Sequence, residues 1–339
     1  MDLYGHIQDV CVYGMCKYIL DMPYEHMYHN ICKYTQRMQG LLLNLSASIF
    51  LLLSCCPVSS SSSSLSSSAT ILVKIGGSCV TNKQIFEELD HINLEKICQQ
   101  LTEAYDPYKQ RHLIVHGAGS FGHFTARQYE LSKGGRDEDW TRGFCETRTS
   151  VLKLNSYILS ALIKHKLPAT TISIFSSIHT NNRLLEVEGP IHMCESVMER
   201  DMIPVMHGDA VFDVDHRCSI FSGDKIMIWL TERLKDKPKM AVFLTNVAGV
   251  YDKPPTECDA KLIKEIVVQK DGSISLNAQT SIAEHDVTGG IKGKIECAVE
   301  IAKIGIPVVI CEMGTEHSMQ ALRGEFPSVC TVIRLIKEI

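Results

Sequence analysis

Apolar residues along the chain switch between two spacings. Short β-rich runs occur at Ile71–Ile75, His112–His116, Ala169–Ser173, Ile203–Met206, Met240–Thr245 and Pro307–Cys311. Between them, apolar residues recurring every three or four positions predict helices over Gln84–Ala104, Arg142–Lys166, His192–Arg200, Asp224–Leu234 and Ile291–Ile304. In the last segment Ile291, Ile295, Ala298, Val299 and Ala302 share one face, and Gly305 with Pro307 stops the helix. Strands alternating with helices predict an α/β fold with a mostly parallel central sheet and helices on both faces. No internal repeat is visible.

The first 70 residues do not share this pattern. Residues 1–40 mix aromatics, cysteines and histidines without a period, residues 41–58 are apolar, and Ser59–Ser68 is serine broken only by Leu65. Such a serine tract buries too little apolar surface to order itself and reads as a disordered linker. The apolar stretch is short for a bilayer span. Asp2, Asp9, Asp21 and Glu25 precede it, which is wrong for a cleaved signal or an acid-poor transit peptide. Targeting segment, anchor and extension without a role all stay open. The expected organisation is an extension over 1–69 and one folded domain over 70–339, with no membrane contact for the domain.

Composition narrows the partner. A hydrophobic content of 45% supports a real core, and a net charge of −5 argues against a nucleic-acid surface, which needs a basic face. Of 14 cysteines, five fall in the first 56 residues and the other nine are scattered without CxxC spacing. That pattern speaks against a zinc site or a disulfide framework and for reduced thiols buried as small hydrophobes, hence a cytoplasmic protein.

Candidate chemistry lies in three glycine-rich turns. Lys74-Ile75-Gly76-Gly77-Ser78 ends the first strand, where paired glycines let a backbone approach phosphate oxygens and the lysine adds a charge. Gly117-Ala118-Gly119-Ser120-Phe121-Gly122-His123 follows the strand ending at His116 and is formally G-x-G-x-x-G. A dinucleotide enzyme needs an acid at the end of a second strand about 20 residues on. The polar stretch 133–140 is no strand, so the loop reads as an anion cradle without the nicotinamide. Asp286-Val287-Thr288-Gly289-Gly290-Ile291-Lys292-Gly293-Lys294 opens the last helix. Lysines in a first turn oppose the helix dipole but suit an anionic ligand held there. No G-x-x-x-x-G-K-[ST], H-R-D or D-F-G occurs, which excludes P-loop enzymes and protein kinases.

The ordered set of Lys74-x-Gly-Gly-Ser with Lys83, His116-Gly-Ala-Gly-Ser-Phe-Gly-His123, His207-Gly-Asp209, Ser222-Gly-Asp224, Thr245-Asn-Val-Ala-Gly-Val-Tyr-Asp252 and Thr288-Gly-Gly-Ile-Lys-Gly-Lys294 resembles the amino acid kinase superfamily. The Gly-Ser-Phe-Gly-His string is similar to isopentenyl phosphate kinases; fosfomycin-type kinases are similar there too. The resemblance implies an open αβα sandwich, ATP with Mg²⁺, and phosphorylation of isopentenyl phosphate to isopentenyl diphosphate. It also implies a role for each matched residue. Lys74, Lys83 and Lys294 surround the transferring group, Asp224 orients the lysines, and Gly76, Gly77, Ser78, Ala118 and Gly290 contact the nucleotide. Thr245, Asn246, Gly249, Tyr251 and Lys253 hold ATP as well. His123 hydrogen-bonds the acceptor phosphate beside Gly117, Gly122 and Gly208. Ala118 stands where a third glycine is usual and Asn246 where aspartate is commoner. The fold often pairs through a sheet edge or a helix face, so a homodimer is compatible with the resemblance.

The chemistry fits these residue types. A phosphate monoester is already an anion, so the site needs no strong base but must align two polyanions and offset their repulsion. A histidine titrating near pH 6–7 suits a phosphate with a similar second pKa. His116 and His207 read as structural. Asp209, Asp213 and Asp215 read as the outward polar positions of a β-hairpin rather than as a metal site, and Mg²⁺ is expected on the ATP phosphates, with no protein metal site. An apolar acceptor pocket is expected within 121–175, with Phe121, Phe124, Ile158, Ile172, Ile174 and Phe175 as candidate liners. Phosphonate, carboxylate and nucleoside monophosphate acceptors are the alternatives, and a non-catalytic sensor is disfavoured because all three lysines and Asp224 are present.

Overall fold

The run Ala69–Ile75 forms the first strand, β1, and is buried along nearly its whole length because helices cover both faces of its sheet. A computed structural model describes residues 69–182, 184–185, 189–271, 273–276 and 289–336. The extension and its apolar stretch lie outside the described residues, apart from Ala69. After β1 come the one-turn helix α1 (Gly77–Val80), α2 (His91–Ala104), β2 (Gln110–His116), α3 (Gly119–Gln128) and α4 (Trp140–Lys164). Next are β3 (Ala169–Thr171), β4 (Thr180–Asn181), β5 (Leu184–Leu185), α5 (Ile191–Met198), β6 (Ile203–His207), β7 (Asp209–Asp213) and β8 (Arg217–Phe221). Then follow α6 (Gly223–Arg233), β9 (Met240–Thr245), β10 (Val250–Tyr251), β11 (Leu262–Ile263), β12 (Glu265–Val268) and β13 (Ile274–Leu276). The last are α7 (Gly289–Lys303), β14 (Val308–Glu312), α8 (Glu316–Leu322) and β15 (Thr331–Leu335).

The main sheet has the order β13-β12-β15-β14-β9-β1-β2-β6-β3. Its pairings are parallel except β12 with β13 and β14 with β15. Side chains alternate between two cores. Leu72 of β1 packs on one face with Ile226, Trp229 and Leu230 of α6 and Ala298 and Ile301 of α7. Ile71, Val73 and Ile75 pack on the other with Ile97 and Leu101 of α2, Leu154 and Ile158 of α4, and Leu322 of α8. This is the expected open αβα sandwich. Registers Ile75 with His116, His116 with His207, and Ile75 with Leu244 bring the carboxyl ends of β1, β2, β6 and β9 to one edge. Ligands of open α/β sheets bind outside that edge.

Several expectations need correction. The helix expected from Gln84 starts at His91, because Asp90 caps it by accepting from Asn93 N at 2.9 Å and Glu87 holds a left-handed φ of 54°. The glycine-rich segment after β2 is a helix from Gly119 onward. The hairpin of β7 and β8 is present and antiparallel, but Asp209 and Asp213 point inward, 2% and 3% exposed, while Val214 is 64% exposed. Partners from elsewhere decide the face: Arg148 pairs with Asp209 at 3.1 Å, and Thr180 donates to Asp213 at 2.6 Å. Among the described residues nine cysteines are free, seven of them buried, as the scattered spacing suggested. Among the described residues no helix is long and apolar enough to cross a membrane.

Candidate active site

Four chain turns meet at the carboxyl edge of the sheet. Gly76 N donates to Leu244 O at 3.2 Å, Gly117 N to Ile75 O at 2.9 Å, and Gly208 N to His116 O at 3.3 Å. The first two glycine-rich turns touch through bare backbone: a Cβ built on Gly77 would lie 2.3 Å from Gly119 N. Any side chain at Gly77 would force the two turns apart, so the close approach explains glycine there better than flexibility does.

These turns wall a cavity of about 770 Å³. Lys74, Gly76, Gly77, Ser78 and Lys83 line it from β1 and the following loop, and Gly117, Ala118, Gly122 and His123 from the start of α3. Gly208, Asp224 and Lys294 line it as well. The helices α3 and α6 send residues of their first turns to the wall, so their N-terminal ends, with partial positive charge, face one space, and α7 adds Gly293 and Lys294 from its second turn. Gly290 lies in the first turn of α7.

The charges are organised around one ion pair. Lys74 Nζ sits 2.6 Å from Asp224 Oδ1, with the lysine side chain 6% and the aspartate 34% exposed. The ammonium also lies 5.7 Å from the Phe243 ring centre. Burial, with Lys74 and Lys83 nearby, pushes the Lys294 pKa down while Asp224 opposes the shift. Burial and then Lys83, Lys294 and Lys74 push the His123 pKa below the usual imidazole value. The expectation of a histidine titrating at 6–7 is therefore corrected: burial and the lysines favour the neutral ring, and an arriving anion would oppose the lysines. Cys79, beneath the Gly76 turn, donates to Leu244 O, and burial pushes its thiol up to about 11 despite the lysines.

The nucleotide segment expected at 245–253 divides. Asn246 Nδ2 donates to Ser78 O at 2.9 Å, which ties that loop to the Gly76–Ser78 turn. Thr245 is buried and bonds Val247 O and Cys311 O, Gly249 packs on Thr331, and Lys253 pairs with Asp259. Tyr251 lies in β10, half-buried. None of these five residues lines the cavity. Among the described residues no cluster of His, Cys, Asp or Glu is placed to hold a metal.

The apolar lining expected for an acceptor differs from what the cavity shows. Phe121 and Ile158 are buried in one core and Ile172 and Ile174 in the other, while Phe124 is part-exposed and Phe175 stacks under Arg148 at 3.5 Å. The wall is instead made by small or branched residues, Ala126, Thr147, Val151, Ala210 and Ile220. Arg127, Glu130, Ser132 and Lys133 also contribute to the lining. Asp209, read from the sequence as an outward hairpin position, belongs to it too; burial raises its pKa to about 6 even against Arg148. His116 and His207 stack behind the wall with centroids 5.4 Å apart. His116 is held by Asn155 at 3.2 Å, and burial, then His207, drives its pKa down to about 3. Both rings are buried and outside the lining.

The amino acid kinase family matches residues 69–312. An isopentenyl phosphate kinase of Arabidopsis thaliana is 35% identical over 305 residues, covering 76% of this chain and 91% of that protein. One from Methanothermobacter thermautotrophicus is 35% identical over 266 residues, covering 75% and 96%. An X-ray structure of an isopentenyl phosphate kinase superimposes with a TM-score of 0.65 at 30% identity, covering 78% of this chain and all of that one. The glycine turns, the lysines around Asp224 and these likenesses agree: the chain belongs to the amino acid kinase family, in its isopentenyl phosphate kinase branch.

Proposed function

We propose that this kinase transfers the γ-phosphoryl group of ATP to isopentenyl phosphate, giving isopentenyl diphosphate and ADP. One observation carries the reading: Lys74, Lys83, Lys294 and His123 surround a single cavity in which two glycine turns lie in backbone contact. The residues fit two polyanions. Gly76, Gly77 and Ser78 with Lys74 and Lys294 hold the nucleotide phosphates, with Gly290 and the loop of Asn246 beside them. His123, with Gly117, Gly122 and Gly208, receives the acceptor phosphate. An acceptor oxygen forms the new P–O bond as the bond to the ADP oxygen breaks, and the lysines offset the charge on the oxygens between. Mg²⁺, when bound together with the nucleotide, would neutralise part of the phosphate charge. Ala126, Val151, Ala210 and Ile220 offer the acceptor tail an apolar wall.

The polar residues Arg127, Glu130 and Lys133 in the same lining favour a second reading, a kinase for a more polar phosphate or phosphonate, which a competition assay between acceptors decides. We place the catalytic unit in 70–339, where every motif lies, so a chain begun near Ser68 keeps full turnover. The free thiols support a cytoplasmic location, and sedimentation measures whether the kinase is a homodimer. The deciding experiment is His123→Ala. Loss of a hydrogen bond to a charged phosphate, ~1.5–3 kcal/mol, lowers kcat/KM for isopentenyl phosphate about 10- to 150-fold. His123→Gln or →Asn recovers part of it, and ATP binding changes much less. Near-parental turnover in the alanine variant would move His123 out of the acceptor site.

A further inference from the structure

The two glycine turns touch, but backbone contact alone does not fix their register. One side chain bonds to both. Thr81, 3% exposed at the end of α1, donates from Oγ1 to Gly77 O at 2.8 Å and accepts from Ser120 N at 3.0 Å. Its hydroxyl fills the space a side chain at 119 would need: a Cβ on Gly119, whose φ is +52°, would lie 2.2 Å from Thr81 Oγ1. The helix α3 has no capping side chain of its own, because Ala118 stands at the N-cap. Thr81 supplies the cap from another segment. Thr81 also pairs with Leu89 in an isolated bridge, and Asn82 N donates to Glu88 O, which closes the loop that carries Lys83.

We infer that Thr81 is a positioning residue: its hydroxyl sets the distance and angle between the nucleotide-side turn and the acceptor-side helix start, and with them the alignment of the two phosphoryl groups. The inference rests on the proposed function, in which those two turns hold the two substrates. It makes a distinct demand, since a clamp between two sites affects the step that joins them more than the binding at either.

Thr81→Val keeps the shape and removes both hydrogen bonds. The expected result is a fall in kcat of about 10- to 100-fold, because small misplacements of reacting groups cost that much. KM for ATP and for the acceptor stays within about threefold, and Thr81→Ser, which keeps both bonds, recovers most of the lost kcat. A merely structural role would lower the folded fraction without changing kcat per active enzyme, so kcat is referred to the folded fraction measured by circular dichroism. Thr81→Ala, which cannot clash, serves as a second variant. Parental kcat in either folded variant overturns the inference, as does a loss confined to the KM of one substrate. Unfolding of both variants beside a fully active Thr81→Ser also overturns it, since the hydroxyl then serves stability alone. The series is run with whichever phosphate acceptor the parent turns over. A wrong acceptor then appears in the parent's profile, and a wrong clamp in the variants' kcat.

Discussion

Replacing Asp224 by asparagine tests the electrostatic core of the site. The Lys74 side chain is only 6% exposed, so without the carboxylate its charge stays buried and poorly paired, whereas Asp224 at 34% is partly hydrated. Breaking a fully buried pair costs ~3–5 kcal/mol and losing one charge-assisted bond ~1.5–3. The exposure of Asp224 places Asp224→Asn near the lower range, about 2 kcal/mol, or a fall in Tm of roughly 4–8 °C. Lys74→Met should cost less, about 1 kcal/mol, because it leaves behind the hydrated partner. The double variant Lys74→Met/Asp224→Asn should lie close to the parent. In turnover, Asp224→Asn frees Lys74 to be repelled by Lys294, so kcat falls roughly 10- to 100-fold while KM for ATP holds or drops in the more positive site. Thermal denaturation at low ionic strength, with and without inorganic phosphate, reads the first effect, and phosphate should recover more stability in Asp224→Asn than in the parent. Coupled kinetics reads the second. A parental kcat in Asp224→Asn, or a larger stability loss in Lys74→Met, would refute the reasoning.

Two further outcomes follow from the same geometry. Lys83→Ala and Lys294→Ala should each lower kcat by roughly 10²-fold or more with a smaller effect on ATP KM, whereas Lys292→Ala, exposed and outside the cavity, should do little; steady-state kinetics on the three variants checks this. The folded-state pKa of His116, about 3, lies below the unfolded value near 6.5. Its neutral burial therefore contributes fully above pH 6.5, and stability is lost as pH falls from there toward 3, at up to ~1.4 kcal/mol per pH unit. Urea midpoints at pH 7 and pH 5 should diverge more for the parent than for His116→Gln, and equal divergence would remove His116 from the account.

The strands β1, β2, β3, β6, β9 and β14 were legible because parallel strands covered on both faces read as continuous apolar runs, and the glycine turns because phosphate chemistry restricts what can stand there, whereas β12, β13 and β15, where the antiparallel pairings lie, were not expected. The hairpin was legible as a hairpin but not by face. A period of two says that Asp209 and Asp213 share a side; that this side is buried depends on Arg148 and Thr180, brought in by the fold. The apolar lining of the cavity was missed for a related reason. Large apolar residues such as Ile158 and Ile174 fill the two cores, while a cavity exists where small ones such as Ala126 and Ala210 leave volume. Hydrophobic periodicity does not separate those cases. The helix at Gly119–Gln128 was hidden by Gly119 and Gly122, poor helix formers whose first turn is capped by Thr81 from the end of α1.

The buried cysteines make the folded chain a clock for its own opening. Burial holds Cys79, Cys218 and Cys330 near 11 and Cys98 and Cys194 near 12, so at neutral pH they stay protonated, and only a thiolate attacks an alkylating reagent. Cys145 and Cys258, exposed, are consumed at once. Each of the seven buried thiols among the described residues reacts only as fast as its own surroundings come apart. Since Cys194 and Cys297 sit in one core, Cys98 and Cys311 in the other, and Cys218 in the hairpin, the order in which they are labelled ranks the parts of the fold by how readily each opens.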